Sequence, residues 1–207
     1  MTNITVLEQL MQSFLSEYTF SNRDYFQIKS ELPKFDPDII LSKTFQNKYG
    51  ICMDLNYAFS HVLKKHGFNC YLVKAFEKKS DGQFYDIYHL TIIVIINGCK
   101  YLADVGFGKY FSKPIMLKNG VTVDKIRVEV PNMKNHENIY NILSHNKFIV
   151  QIKDSPLLSI SDINDNYQNF FKAGPDDLPL CRKPYDRIYD QIIGDYVIPQ
   201  KVEKYTH

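Results

Sequence analysis

Two apolar runs joined by Asn97-Gly98 constrain the fold of this chain more than any other feature. The first run, Tyr88–Ile96, is rich in β-branched residues, and the second, Cys99–Val105, follows the turn at once. An Asn-Gly pair is typical of a two-residue hairpin, because both of its residues tolerate a positive φ. The pattern predicts two antiparallel strands with Ile96 opposite Cys99.

That register places two polar side chains on one face of the hairpin. Asp104 lies opposite Thr91, and Thr91 points to the same face as His89 because strand side chains alternate. His89 and Asp104 are then diagonal neighbours, roughly 7–8 Å apart at Cα. A carboxylate and an imidazole can close that gap with a hydrogen bond. A shift of one residue would send them to opposite faces.

A cysteine lies at the predicted start of a buried helix. After Cys52, the apolar residues Leu55, Phe59 and Leu63 fall on one helical stripe, and Gly67 fits the residue that ends a helix. Cys52 is therefore expected in the first turn. There, the helix N-terminus and a nearby imidazolium both stabilise a thiolate.

These residue types together predict nucleophilic catalysis. Cys52 supplies a thiol, His89 a base that deprotonates it, and Asp104 an acid that orients the base. The backbone N–H of Cys52 is a candidate donor to an oxyanion. Gly50, two residues earlier, allows a tight turn and leaves room for a substrate.

Each residue taken alone also has a structural interpretation. A cysteine at a helix start and a histidine in an apolar strand are usually packed core residues, whereas a buried aspartate requires a partner. A zinc site is a second alternative, and its candidate ligands are Cys52, His61, His66 and Cys70. However, His61 and His66 are five residues apart, which separates them by about 140° around a helix. We therefore expect no metal.

Composition excludes several other classes of function. The chain has 207 residues, 44% of them apolar, and a net charge of +2, so we expect no nucleic-acid partner and no membrane partner. The four cysteines show no CxxC spacing, which predicts reduced thiols and a cytoplasmic location. The N-terminus lacks the pattern of a signal peptide.

The order of the remaining patterns predicts an α+β fold. Helical periodicity covers residues 4–18, 36–46, 52–66, 163–171 and 185–193. Strand character covers residues 69–76, 88–96, 99–105, 121–130, 139–143 and 147–152. Helices precede antiparallel strands, and a short mixed segment follows.

At these residues the chain resembles the arylamine N-acetyltransferases. Residues 48–56, Lys-Tyr-Gly-Ile-Cys-Met-Asp-Leu-Asn, are similar to the family's Arg-Gly-Gly-x-Cys-Phe-Glu-x-Asn motif, and residues 104–108, Asp-Val-Gly-Phe-Gly, match its signature. The separations of 37 residues from Cys52 to His89 and 15 from His89 to Asp104 also suit the family. Weaker similarities at 19–22 and 162–167 extend the resemblance over roughly residues 5–170.

The resemblance implies a papain-like cysteine-enzyme core. A helical bundle over residues 1–68 would bear the nucleophile, and an antiparallel β-barrel over 69–160 would bear His89 and Asp104. Residues 161–207 would form a short helical segment, a reduced lid. Family members continue further into a lid domain, so we expect a short, divergent member that lacks most of that domain.

The resemblance also implies a two-step acyl transfer. Acetyl-CoA or another acyl-CoA would be a co-substrate that acylates Cys52 as a thioester, with no tightly bound cofactor. A small-molecule amine, hydroxylamine or hydrazine would then take the acyl group. Phe107 and Phe20 are expected to contact the substrate, with Gly50 and with Gly106, which leaves room beside His89.

Departures from the family pattern leave two alternatives open. Lys48-Tyr49 replaces Arg-Gly, and Ser21 stands where the family has glutamate. One alternative is a transglutaminase-like, peptidase-like or amidase-like thiol enzyme, because such enzymes use the same Cys–His–Asp order. The other is a catalytically silent relative that acts as a binding module. The oligomeric state is open, and a homodimer would cover apolar surface that a reduced lid exposes.

Overall fold

A computed structural model describes residues 3–27, 31–131, 138–157 and 159–199. Its α-helices are α1 (Ile4–Glu17), α2 (Arg23–Gln27), α3 (Pro37–Asn47), α4 (Cys52–Lys65) and α5 (Ile160–Lys172), and a 3-10 helix covers Pro179–Cys181. Its strands are β1 (Thr19–Ser21), β2 (Tyr49–Gly50), β3 (Asn69–Phe76), β4 (His89–Ile96), β5 (Cys99–Leu102), β6 (Ile115–Met116), β7 (Thr122–Val123), β8 (Ile126–Glu129), β9 (Ile139–Ser144), β10 (Lys147–Lys153), β11 (Asp186–Asp190) and β12 (Asp195–Val197). Within the described ranges, no helix has the length and apolar character needed to cross a bilayer.

Eight strands form one antiparallel sheet that curls into a nearly closed barrel. Their order is β6-β5-β4-β3-β10-β9-β8-β7. A second sheet of four strands, in the order β12-β11-β1-β2, brings the C-terminal strands against the N-terminal part of the chain. The predicted α+β fold, helices packed on an antiparallel barrel, is confirmed.

Helix α4 contacts helices α1 and α3 and the barrel strands β3 and β4. Its residues Leu55, Phe59 and Leu63 are fully buried and pack against β3 and β4. Strand β4 is covered on both faces, because alternate residues such as Ile92 join the core under the helices while Ile93 joins the core inside the barrel. A strand that is buried on both faces has a continuous apolar sequence, and β4 has such a sequence.

The hairpin of β4 and β5 has the predicted register. Ile96 pairs with Cys99, and Ile93 pairs with Leu102. Asn97 has a φ of 50° and Gly98 a φ of 77°, the left-handed conformations that a tight two-residue turn needs. The turn therefore fixes which residues face the helices.

The prediction of a helix over residues 185–193 is wrong. The segment forms β11, which pairs with β1 so that Phe20 lies opposite Arg187. The Asp190 carboxylate then accepts hydrogen bonds from the N–H groups of Ile192 and Ile193, 2.8 and 3.1 Å away. Pairing with a distant strand overrides the weak local helical pattern.

Asn22 ties the C-terminal segment to the N-terminal part of the chain. Its side-chain amide donates to the carbonyl oxygens of Leu180 (2.5 Å) and Lys183 (3.0 Å). Its oxygen accepts from the Tyr185 N–H at 2.7 Å. Asn22 is fully buried, so these three bonds satisfy polar groups that water does not reach. They place residues 178–185 beside β1.

Candidate active site

Cys52 is the first residue of α4, as the sequence predicts. The carboxylate of Asp54 folds back and accepts a hydrogen bond from the Ile51 N–H at 3.0 Å, which satisfies a backbone donor at the helix start. A Cβ on Gly50 would lie 2.6 Å from the Asp54 Cβ. Glycine at this position therefore lets Asp54 fold back beside Cys52.

His89 and Asp104 meet at the open end of the hairpin. His89 begins β4, and Asp104 lies two residues beyond the end of β5. His89 Nε2 donates to Asp104 Oδ2 at 2.5 Å, and the side chains are 6% and 1% exposed. The structure thus brings together the two residues that the hairpin register placed on one face.

Asn56 holds the Asp104 loop against α4. Its side-chain amide donates to the Leu90 carbonyl at 2.7 Å and to Asp104 Oδ1 at 3.3 Å, and its oxygen accepts from the Val105 N–H at 2.9 Å. No role was predicted for this residue. The sequence feature that points to Asn56 is its position one helical turn after Cys52, which places both side chains on the same face of α4.

Gly106 allows close contact between the Asp104 loop and the start of α4. A Cβ on Gly106 would lie 2.8 Å from the Cys52 Cα and 2.9 Å from the Cys52 carbonyl oxygen. Contacts this short are not tolerated, so any side chain would push the two elements apart. The room that Gly106 provides is therefore occupied by the Cys52 backbone.

The charges of the site favour an ionised His89–Asp104 pair. Burial alone would lower the pKa of His89, but the negative charges of Asp104 and Cys52, with hydrogen bonds to both, raise it well above its usual value. Burial opposes ionisation of Asp104, yet the charge of His89 and the hydrogen bonds to the carboxylate lower its pKa. Because Nε2 is bonded to Asp104, Nδ1 is the ring nitrogen that remains for Cys52.

The strand that carries His89 is also fixed from the C-terminal side. Asn166 on α5 donates to the Tyr88 carbonyl at 2.8 Å and accepts from the Tyr88 N–H at 3.0 Å. The Tyr88 hydroxyl donates to the Asp162 carbonyl at 2.8 Å. Residues 162–167, which carry a weaker part of the family resemblance, thus position the residue next to His89.

A small cavity of ≈ 50 Å³ opens beside Cys52 and His89. Most of its walls are apolar side chains, among them Phe20, Ile87, Phe107, Phe170, Leu178 and Leu180. The Phe107 ring packs edge-on against the His89 ring, with centroids 4.8 Å apart. Glu77, just beyond β3, also lines the cavity, although no sequence pattern predicts it there.

Three of the four predicted substrate contacts lie at the cavity, and one does not. Phe107, Phe20 and Gly106 line the cavity, whereas Gly50 packs against Asp54 and is not among the lining residues. A role for these four residues in substrate binding stays a prediction.

The alternative zinc ligands do not gather around one point. His66 Nδ1 lies 2.9 Å from the Val62 carbonyl oxygen, and the Cys70 thiol contacts the Ser60 carbonyl at 3.7 Å. Among the described residues, no group of three or more His, Cys, Asp or Glu side chains has the arrangement of a metal site.

Comparison with known proteins gives close sequence relatives. An uncharacterized acetyltransferase of Acanthamoeba polyphaga mimivirus is 96% identical over 204 residues, which cover 99% of this chain and 100% of the relative. A second uncharacterized acetyltransferase of the same virus is 42% identical over 198 residues, covering 95% of this chain and 93% of that protein.

Solved structures share the fold at low sequence identity. Arylamine N-acetyltransferase C from Bacillus anthracis has a TM-score of 0.73 and 16% identity, and the match covers 92% of this chain and 77% of that one. The arylamine N-acetyltransferase of M. smegmatis has a TM-score of 0.75 and 17% identity, with 90% and 70% covered. The sequence model of the N-acetyltransferase family matches residues 3–155. This chain therefore belongs to the arylamine N-acetyltransferase family.

Proposed function

We propose that this protein transfers an acetyl group from acetyl-CoA, through a thioester on Cys52, to the nitrogen of an amine, hydroxylamine or hydrazine. The observation that carries the proposal is that Cys52 and His89 line one small cavity, while His89 is hydrogen-bonded to Asp104 at 2.5 Å. The family match favours acetyl transfer over the peptidase-like alternative.

The first step would acetylate Cys52. His89 takes the thiol proton, and the thiolate attacks the carbonyl carbon of acetyl-CoA to form a carbon–sulfur bond. The Cys52 backbone N–H, at the start of α4, is a candidate donor to the resulting oxyanion. The bond to the CoA sulfur then breaks, and the His89 imidazolium returns a proton to the departing thiolate.

The second step would move the acetyl group to nitrogen. A neutral amine attacks the thioester carbonyl, and His89 takes the proton that the nitrogen loses. The bond to the Cys52 sulfur breaks, which releases the amide and restores the thiolate beside the imidazolium. Asp104 keeps its proton-free form throughout, because it orients the ring and stabilises its positive charge.

A basic groove next to the cavity supports a polyanionic donor. The groove of ≈ 170 Å³ shares Glu77 and Phe107 with the cavity and is lined by Lys78 and Lys109. The Lys78 ammonium lies 4.5 Å from the centre of the Phe148 ring, and that of Lys109 lies 4.9 Å from the Tyr110 ring. Both ammonium groups pack against aromatic rings that line the groove, which positions them there to bind phosphate groups.

One structural relative bears on the identity of the orienting acid. An arylamine N-acetyltransferase from Bacillus cereus is described as having a unique Cys-His-Glu catalytic triad; it shares 16% identity with this chain at a TM-score of 0.75. Here the acid bonded to the histidine is Asp104. We infer that this protein uses the shorter carboxylate in the same role.

Steady-state kinetics with acetyl-CoA and an arylamine or hydrazine test the proposal. We expect release of free CoA, formation of the acetylated nitrogen, and parallel lines in double-reciprocal plots, which indicate a covalent intermediate. The Cys52→Ser variant should lose this turnover, whereas Cys99→Ser, which changes an exposed thiol, should retain it. Acetyl transfer that survives Cys52→Ser, or cleavage of amide substrates in place of acetyl-CoA, would overturn the proposal.

A further inference from the structure

The cavity beside Cys52 contains one carboxylate that the proposed mechanism does not use. Glu77 follows β3 and lines the cavity together with Cys52 and His89. The other walls are almost entirely aliphatic and aromatic. A negatively charged group in apolar surroundings is unfavourable unless a positive charge or a hydrogen-bond donor compensates it. Its presence therefore needs an explanation.

Nothing in the described part of the chain provides that compensation by direct contact. Burial raises the pKa of Glu77, and the positive charges of His89 and of Lys109, which lines the same basic groove as Glu77, act against that shift. Among the described residues, no side chain donates a hydrogen bond to the Glu77 carboxylate. Asp104, on the other side of His89, adds further negative charge. The carboxylate thus remains available to a bound molecule.

A second groove near the cavity has an excess of negative charge, the same sign as the Glu77 carboxylate. This groove of ≈ 300 Å³ shares Ile87 with the cavity. Its walls carry four acids, Asp81, Asp86, Asp176 and Asp177, against two bases, Lys79 and Arg182. An excess of negative charge beside an opening attracts cations and raises their local concentration. The acidic side of the molecule lies at Ile87 and is distinct from the basic groove at Lys78 and Lys109.

We propose that the acceptor carries a second, positively charged nitrogen that binds the Glu77 carboxylate while its neutral nitrogen faces Cys52. This inference rests on the proposed acetyl transfer and specifies its substrate class. An acceptor with both groups is chemically ordinary, because an aromatic amine is neutral near pH 7 whereas an aliphatic amine is protonated. The ammonium group forms no bond and transfers no proton in the reaction. Its role is to position the acceptor.

Three para-substituted anilines of similar size test this preference in the wild-type protein. 4-(Aminomethyl)aniline carries a cation, 4-methylaniline is neutral, and 4-aminobenzoate carries an anion, while the reacting nitrogen is an aromatic amine para to the substituent in all three. We expect kcat/KM to be highest for the cation and lowest for the anion, with about tenfold between cation and neutral compound, as for a charged hydrogen bond. Equal values, or a preference for the neutral or anionic compound, would overturn the proposal.

The Glu77→Gln variant tests whether the preference for the cationic acceptor arises from Glu77. It keeps the shape of the side chain but removes its charge, so the ratio of kcat/KM for cation over neutral compound should fall about tenfold. Glu129→Gln, on β8, is the matched control and should keep the wild-type ratio. If Glu77 acted on His89 instead, all three acceptors would slow together and the ratio would not change. That result would contradict the proposal.

Acetylation of Cys52 by acetyl-CoA without an acceptor separates this inference from the function on which it rests. A thioester that forms normally, together with no preference for the cationic aniline, would overturn the role of Glu77 alone. A thioester that never forms would overturn both.

Discussion

At the scale of single residues, hydrogen bonds hold both carboxylate oxygens of Asp104 in place. Its Oδ2 accepts from His89, and its Oδ1 accepts from the Gly106 N–H at 2.9 Å and from the Asn56 amide at 3.3 Å. Hydrogen bonds to the ionised form keep a buried carboxylate charged. Asp104 can therefore stabilise the imidazolium and fix the orientation of its ring.

Replacement of Asp104 by asparagine should slow acetylation of Cys52 by about 10²–10⁴-fold. The amide has nearly the same shape, but it neither stabilises the imidazolium nor fixes the tautomer that exposes Nδ1. The rate of CoA release in a single turnover measures the effect. Asp38→Asn, which changes an exposed carboxylate on α3, is the control and should keep the wild-type rate. A rate for Asp104→Asn within twofold of wild type would contradict the role of this residue.

Gly106→Ala should destabilise the protein by about 1–3 kcal/mol and reduce acetylation. The added methyl group would contact the Cys52 backbone at 2.8 Å and force the Asp104 loop away from α4. Gly174→Ala is the matched control, because a Cβ there would lie 3.4 Å from Asp177 Oδ2, its nearest neighbour among the described residues. Urea unfolding of both variants checks the difference, and equal midpoints for Gly106→Ala and wild type would show that the loop adapts.

The residues that sequence identified differ in kind from those it missed. Cys52, His89 and Asp104 stand out because each is a reactive or charged type in an apolar pattern. Asn56 is neither reactive nor charged, and only its position one helical turn after Cys52 points to the site. The position of Glu77 in the cavity depends on packing between residues far apart in the chain, so no local pattern could reveal it.

At the scale of secondary-structure elements, the start of α4 carries an unusual buried charge. Burial raises the pKa of Asp54 to about 6, although the hydrogen bond from the Ile51 N–H opposes the shift. The folded protein therefore binds this proton more tightly than the unfolded chain, whose value is 3.8. Its contribution to stability is fully present below that value and is lost as pH rises through about 6.

Asp54→Asn should remove this pH dependence. The free energy of unfolding of the wild type, minus that of the variant, should fall by roughly 2–3 kcal/mol between pH 4 and pH 7, because a shift of one pKa unit corresponds to 1.36 kcal/mol. Urea unfolding at both pH values gives the difference. A difference that stays constant, or that rises with pH, would show that Asp54 does not titrate as its burial implies.

Elements with a strong local pattern were predicted, and those formed by distant pairing were not. The hairpin register followed from the Asn97-Gly98 turn and the alternation of β4, and the structure confirms it. Strands β1 and β2 have three and two residues, too few to show a period. Strand β11 forms because it pairs with the edge of β1. No feature of residues 185–193 alone predicts this pairing.

At the scale of the whole molecule, distant parts of the chain converge on one cavity. Helix α4 supplies Cys52, the barrel supplies His89 and Glu77, and the C-terminal segment supplies Leu178 and Leu180. The grooves beside the cavity differ in charge, basic at Lys78 and Lys109 and acidic near Ile87. This asymmetry suits a reaction with one polyanionic and one cationic substrate, because each approach attracts one of them.

Intact-protein mass spectrometry after mixing with acetyl-CoA alone tests the central claim most directly. We expect the wild type to gain the mass of one acetyl group, peptide mapping to locate it on Cys52, and a later addition of arylamine to remove it. Cys52→Ser should gain no such labile group, whereas Cys99→Ser should gain it like the wild type. An unmodified wild-type protein, or an acetyl group on another residue that arylamine does not remove, would contradict the thioester mechanism.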